Sequence, residues 1–86
     1  MSSSYKILFQ KSAIKFLQKQ DKPTQERLMK AIKLLPSGTD IKKLQGYDNL
    51  YRKRVGNIRI LYSIEEEVKI INIENIDNRG DVYKRY

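Results

Sequence analysis

Residues 50–64 read Leu50-Tyr51-Arg52-Lys53-Arg54-Val55-Gly56-Asn57-Ile58-Arg59-Ile60-Leu61-Tyr62-Ser63-Ile64, and this stretch decides the fold. Two β-prone runs, Leu50 to Val55 and Ile58 to Ile64, flank Gly56-Asn57, a two-residue turn signal that calls for a hairpin. Side chains alternate across a strand. Ile58, Ile60, Tyr62 and Ile64 therefore form an unbroken apolar set suited to packing on helices, while Arg59, Leu61 and Ser63 look the opposite way. On the preceding run Arg52 and Arg54 share one face with Leu50, and Tyr51, Lys53 and Val55 share the other. The hairpin brings Arg54 and Arg59 close to the turn on neighbouring strands. With Arg52 and Arg54 on the helix-free face, three guanidiniums converge on one patch.

Working outward, Val68 to Ile73 reads as a third strand, joined to the second through Glu65-Glu66-Glu67, a solvated hairpin tip. Before the hairpin, a polar lead, residues 1–4, expected to be flexible, precedes Tyr5-Lys6-Ile7-Leu8-Phe9, a short β-prone run. Ser12 is an N-cap candidate, followed at helical spacing by Ala13, Phe16, Leu17 and Gln20. Asp21 and Pro23 suit the cap and first turn of a second helix whose apolar stripe is Leu28, Ala31, Ile32 and Leu35. Pro36-Ser37-Gly38 stops it, so the two helices form an αα-hairpin. From Asn75 onward the chain opens with turn-like pairs, Asp77-Asn78 and Arg79-Gly80, and is expected to close with one helical turn. The expected architecture is α+β: a two-layer sandwich of N-terminal strand, αα-hairpin, three-stranded antiparallel meander and short C-terminal helical turn, in a single domain over residues 1–86. One sheet face is left free of helices.

Composition sets the chemistry that this face can carry. The 86 residues include 18 Lys plus Arg against 10 Asp plus Glu, a net charge of +8, and the excess lies wholly within the first 62 residues. A basic chain this small favours polyanionic partners, nucleic acid first. There is no cysteine and no histidine, which removes disulfides, thiolate zinc sites, cysteine nucleophiles and the commonest acid/base group. No phosphate loop, dinucleotide fingerprint or metal-ligand spacing occurs, and no cofactor or metal is expected. No apolar window is long enough to span a bilayer, and no charged and apolar leader opens the chain. A cytoplasmic protein without a membrane partner is therefore expected. Guanidinium forks bind phosphate bidentately. Arginines on an exposed strand face also serve simply to discourage edge aggregation, and spacing alone does not choose between those two uses. Lys42 and Lys43 before Leu44 read as a solvated loop that would extend a basic track.

Three segments in order carry a family resemblance. Lys43-Leu44-Gln45-Gly46, then Tyr51-Arg52-Lys53-Arg54-Val55-Gly56-Asn57-Ile58-Arg59-Ile60-Leu61-Tyr62, then Asn78-Arg79-Gly80-Asp81-Val82-Tyr83, resemble the signature of the RelE/ParE toxin superfamily. The resemblance spans essentially the whole chain and implies the toxin of a type II toxin–antitoxin pair. RelE-like members cut messenger RNA in the ribosomal A site, and ParE-like members inhibit DNA gyrase without cutting nucleic acid. The short chain and its basic residues resemble the RelE branch. By position, Arg52, Arg54, Arg59, Arg79 and Tyr83 match the family's catalytic set, with Lys42, Lys43, Lys53 and the terminal Lys84 and Arg85 as further RNA-binding candidates. Arginine stands at 52 and 54 where familiar members carry lysine, Ile58 replaces a frequent tyrosine, and Asn78 replaces a frequent basic residue. The implied partners are an acidic, RelB-like antitoxin and a ribosome with message in the A site. The alternatives are a gyrase inhibitor or a member that binds RNA without cutting it.

Overall fold

The computed structural model describes residues 5–78. The expected flexible lead and closing helical turn lie outside that range. The elements in chain order are β1 (Lys6–Phe9), α1 (Lys11–Gln18), α2 (Lys22–Leu34), β2 (Ile41–Lys43), β3 (Leu50–Val55), β4 (Ile58–Glu65) and β5 (Ile70–Asp77).

The hairpin of β3 and β4 forms as its sequence requires. Val55 pairs with Ile58, Arg54 with Arg59 and Arg52 with Leu61. Gly56 supplies φ +62 at the first central position of the turn, a conformation that costs glycine nothing. That register sends Ile58, Ile60, Tyr62 and Ile64 into the main core with Leu28, Ile32 and Leu35 from the helical segment and Ile71, Ile73 and Ile76 from β5.

α2 begins at the expected cap, where the Asp21 carboxylate accepts from the Thr24 N–H at 3.1 Å, and Pro23 sits in the first turn. It ends at Leu34 because Leu35 precedes proline and is extended, with ψ 143. α1 starts one residue before the expected cap. The Gln10 N–H donates to the Ile73 carbonyl at 3.0 Å, prolonging the β1–β5 ladder to the last residue before the helix. Ser12 therefore lies inside α1, and its hydroxyl donates to the Glu74 carbonyl at 3.0 Å, tying α1 to β5. Gln25 Nε2 donates to the Leu17 carbonyl at 2.7 Å and links the two helices.

Three features depart from the expected meander. β1 pairs with β5 in parallel, so the five-stranded sheet, in the order β1-β5-β4-β3-β2, is mixed. Parallel neighbours need a long crossover, and the intervening helices and hairpins supply it. Lys42 and Lys43 are not loop residues but part of β2, a short edge strand antiparallel to β3. Finally, β5 begins at Ile70 and runs to Asp77, and Val68 is an exposed turn residue. A bulge lets Leu61 face Asn75 while Tyr62 faces Ile73, with Glu74 as the extra residue. Ile73 and Ile76 can then both enter the core although they lie three apart.

The helix-free face is not bare. Leu44 folds over Leu50 and Leu61, both buried, as a second and smaller apolar cluster. The phenol of Tyr62, in the main core, stacks on Tyr51 with ring centroids 5.6 Å apart, and its hydroxyl has no hydrogen-bond partner among the described residues. Burial, with Tyr51 adding to it, pushes the Tyr62 phenol up to about 12 from its usual 10.0. The folded state holds this proton longer than the unfolded chain, so its stabilising contribution is complete below pH 10 and disappears as pH rises towards 12. Tyr62→Phe is expected to raise stability by about 1 kcal/mol at pH 8 by removing an unpaired buried hydroxyl, and by more at pH 11. Urea unfolding at the two pH values checks both expectations.

Candidate functional site: an arginine-lined cleft on the sheet

The pairing that builds the core also gathers the cations. In antiparallel register, directly opposed residues point to the same face. Lys42 of β2 faces Arg52 of β3, and Arg54 of β3 faces Arg59 of β4, so two like-charged pairs stand side by side on the helix-free face. Arg59 is also in register with the buried Asp77 of β5. These side chains line an open cleft of about 550 Å³, bounded by Lys42, Lys43, Leu44, Gln45, Arg52, Arg54 and Arg59.

The arginines differ in exposure. The Arg52 side chain is only 11% exposed, whereas that of Arg54 is 45% exposed and more open to an incoming anion. Like charges opposed across a ladder are destabilising, and Asp40 offsets part of this. Its Oδ2 lies 3.0 Å from Arg54 Nε and its Oδ1 lies 3.6 Å from Arg52 Nη1. The hydrogen bond from Arg54, with the attraction of Arg54, Arg52 and Lys53, holds the Asp40 carboxyl below its usual 3.8.

Lys53 takes another path. It lies between Arg52 and Arg54 in sequence but on the opposite face, buried, where its ammonium donates to the Thr39 carbonyl. It anchors the loop and does not join the cleft. Arg52, Arg54, Arg59, Lys42 and Lys43 are thus brought together, and Lys53 is set apart. Arg79, Tyr83, Lys84 and Arg85 lie outside the described residues. Sequence reasoning missed Gln45 as a lining residue and Asp40 as the carboxylate bound to two of the arginines. Asp40 sits ten residues before the hairpin, and no local period links it to β3.

The cleft offers converging donors and little else. Among the described residues its lining includes neither a carboxylate nor a phenol, so these side chains are suited to holding negative charge. Among the described residues no helix is long and apolar enough to cross a membrane.

Known proteins share the sequence pattern and fold of this chain. Residues 7–83 match the family described as ParE toxin of type II toxin-antitoxin system, parDE. A Methanocaldococcus jannaschii protein carrying the name RelE1 is 42% identical over 45 residues, which amount to 52% of this chain and 50% of that protein; the match thus spans about half of the relative's length. A chain in the crystal structure of the archaeal RelE-RelB complex from Pyrococcus horikoshii OT3 superposes with a TM-score of 0.76 at 28% identity, covering 90% of this chain and 97% of that one. A chain of the RelB-RelE antitoxin-toxin complex from Methanococcus jannaschii gives 0.72 at 29% identity, covering 92% and 98%. The isolated E. coli RelE toxin gives 0.72 at 21% identity, covering 95% and 94%, and shares the fold.

Because Asp40 has a depressed carboxyl value, its contribution to stability is present above the usual carboxylate value and is lost as pH falls through the folded one. Arg54→Ala removes the largest cause. The Asp40 carboxyl carbon is then expected to titrate closer to 3.8, which nuclear magnetic resonance measures directly.

Proposed function

Because this chain belongs to the ParE toxin family of type II toxin–antitoxin systems, within the RelE/ParE superfamily, we propose that its arginine cleft grips the backbone of messenger RNA and that the protein is a ribosome-dependent endoribonuclease. The observation that carries this reading is the convergence of Arg52, Arg54 and Arg59 on one cleft outside the core.

The chemistry follows from what guanidiniums do well and badly. In the proposed reaction the 2′-oxygen attacks the adjacent phosphorus as its proton leaves. The bond from phosphorus to the 5′-oxygen breaks, giving a 2′,3′-cyclic phosphate and a 5′-hydroxyl once that oxygen takes a proton. Negative charge grows on the phosphoryl oxygens, and preorganised donors stabilise it there more than in the ground state. Three guanidiniums supply the positive charge that a metal ion supplies in other nucleases, so the proposed reaction is metal-independent. They are poor proton acceptors, since a charged guanidinium has no lone pair to offer. Tyr83 is proposed to carry or orient the proton, and Arg79 to steady the leaving 5′-oxygen. A catalyst that relies on electrostatics and orientation depends on the ribosome to deliver the scissile bond in register.

The proposed partner is an acidic antitoxin of the RelB kind. Two of the solved relatives are RelE in complex with RelB, and in this chain the exposed edges β1 and β2 and the basic cleft are surfaces that an extended acidic segment can cover.

A second reading has one observation in its favour: the matched family is described by ParE and not by RelE. A gyrase inhibitor would induce the DNA-damage response and leave message ends unchanged. The nuclease reading predicts translation arrest and new 5′ ends within codons. On programmed ribosomes Arg59→Ala is expected to slow cleavage by about 100-fold, the usual effect of losing one transition-state donor. Undiminished cleavage by Arg59→Ala would remove Arg59 from the site. For single-stranded RNA in solution, engagement of all five cleft cations gives a slope of log affinity against log salt of about −3.5. Arg54→Ala should make that slope shallower by about 0.7.

A further inference from the structure

The loop that carries Asp40 is held from both sides of β3. From the helix-facing side the Lys53 ammonium donates to the Thr39 carbonyl. In the plane of the sheet the Arg54 N–H donates to the Asp40 carbonyl at 3.2 Å. From the cleft side the Asp40 carboxylate meets Arg54 Nε at 3.0 Å and Arg52 Nη1 at 3.6 Å. Three consecutive strand residues thus address two consecutive loop residues. Asp40 also has φ +57, in the left-handed region that aspartate tolerates better than most side chains. This conformation sets its carboxylate against the two guanidiniums from outside the cleft: both arginines line the cleft, and Asp40 does not.

We propose that Asp40 is a positioning residue that aims Arg52 and Arg54 at the scissile phosphate, an inference that rests on the nuclease reading of the same cleft. A guanidinium carries five N–H donors in a rigid planar fork, so fixing one edge fixes the direction of the others. Asp40 takes the Nε–H of Arg54, leaving both of its terminal nitrogens for a phosphate. To Arg52 it makes an ion pair at 3.6 Å, beyond hydrogen-bond reach, which draws that fork towards the same side without occupying its donors. Arg54 is half-exposed, and an unrestrained arginine there would lose rotamer freedom on binding RNA. Held by Asp40, it has already lost that freedom in the free protein. The same carboxylate reduces repulsion among Arg52, Arg54 and Arg59. It also places a negative charge beside an anion site, which weakens simple attraction. Orientation and attraction therefore respond oppositely to its removal, and a substitution separates them.

The test compares the wild type with Asp40→Asn, which keeps the shape and one acceptor, and with Asp40→Gly, which suits φ +57 and removes the carboxylate. Asp48→Asn removes the same charge from an exposed residue outside the cleft lining and controls for net charge. In single-turnover cleavage on programmed ribosomes, both Asp40 variants are expected to slow by about 10-fold or more. Their affinity for a short single-stranded RNA should hold or tighten, and Asp48→Asn should change neither quantity. Unchanged rates in both Asp40 variants overturn the proposal, as does a loss of affinity that matches the loss of rate. The Arg54 Nε–H resonance gives a readout independent of cleavage: slow solvent exchange in the wild type and fast exchange in Asp40→Gly, with Arg59 unaffected. Fast exchange already in the wild type also overturns the proposal. If the wild type leaves message uncut, the nuclease reading falls, and the Arg54 resonance alone decides whether Asp40 holds its arginine.

Discussion

The strict two-residue alternation of β3, locked in register by the Gly56 turn, is the constraint on which the rest of the structure depends. Arg52, Lys53 and Arg54 are consecutive, yet they do different work because successive side chains leave opposite faces of the sheet. Arg52 and Arg54 line the cleft, and Lys53 reaches under the strand to the Thr39 carbonyl. On β4 the same alternation sends Ile58, Ile60 and Tyr62 inward and presents Arg59 beside Arg54. A slip of one residue would turn the core set to solvent and scatter the arginines. Core and site are therefore specified together, and the apolar burial that sets the register also holds the cations side by side.

That arrangement carries an electrostatic cost that a purely structural sheet would avoid. Two like-charged pairs, Lys42 with Arg52 and Arg54 with Arg59, stand directly opposed. Among the described residues, Asp40 forms ion pairs with Arg52 and Arg54 and so offsets part of the repulsion. The remaining unfavourable interaction can be relieved by an incoming anion, which favours the proposed phosphate-binding role of the cleft. A substrate phosphate that also gains charge in the transition state gains most from such a site. The proposed dependence on the ribosome for orientation fits the same picture, because among the described residues the cleft contributes charge and little acid/base chemistry.

Much of this was legible in residues 50–64. The Gly-Asn turn, the extent of β3 and the sorting of Ile and Arg to opposite faces all follow from local pattern. The edge strand β2 was not legible, since Ile41-Lys42-Lys43 is too short and too basic to show a period and forms because β3 offers it a ladder. The far half of β5 was hidden by its bulge, which breaks the two-residue repeat between Ile73 and Ile76. The parallel pairing of β1 depends on long-range closure of the sheet, which no window of sequence contains. Asp40 escaped notice for a related reason: its role depends on a left-handed backbone and on contacts to a strand more than ten residues away. Composition pointed only to a polyanion, and it was the resemblance, with the family match, that narrowed this to a toxin.

The central claim is that phosphate is received on the sheet and not on the lysine-rich helices opposite. Titrating a short single-stranded RNA into protein labelled at arginine Nε, with each side-chain resonance followed, tests it most directly. The account predicts saturable shifts at Arg52, Arg54 and Arg59 with a common midpoint, and little change at Arg27 of α2. Shifts that favour Arg27, or that leave the three sheet arginines unmoved while RNA binds, would contradict it.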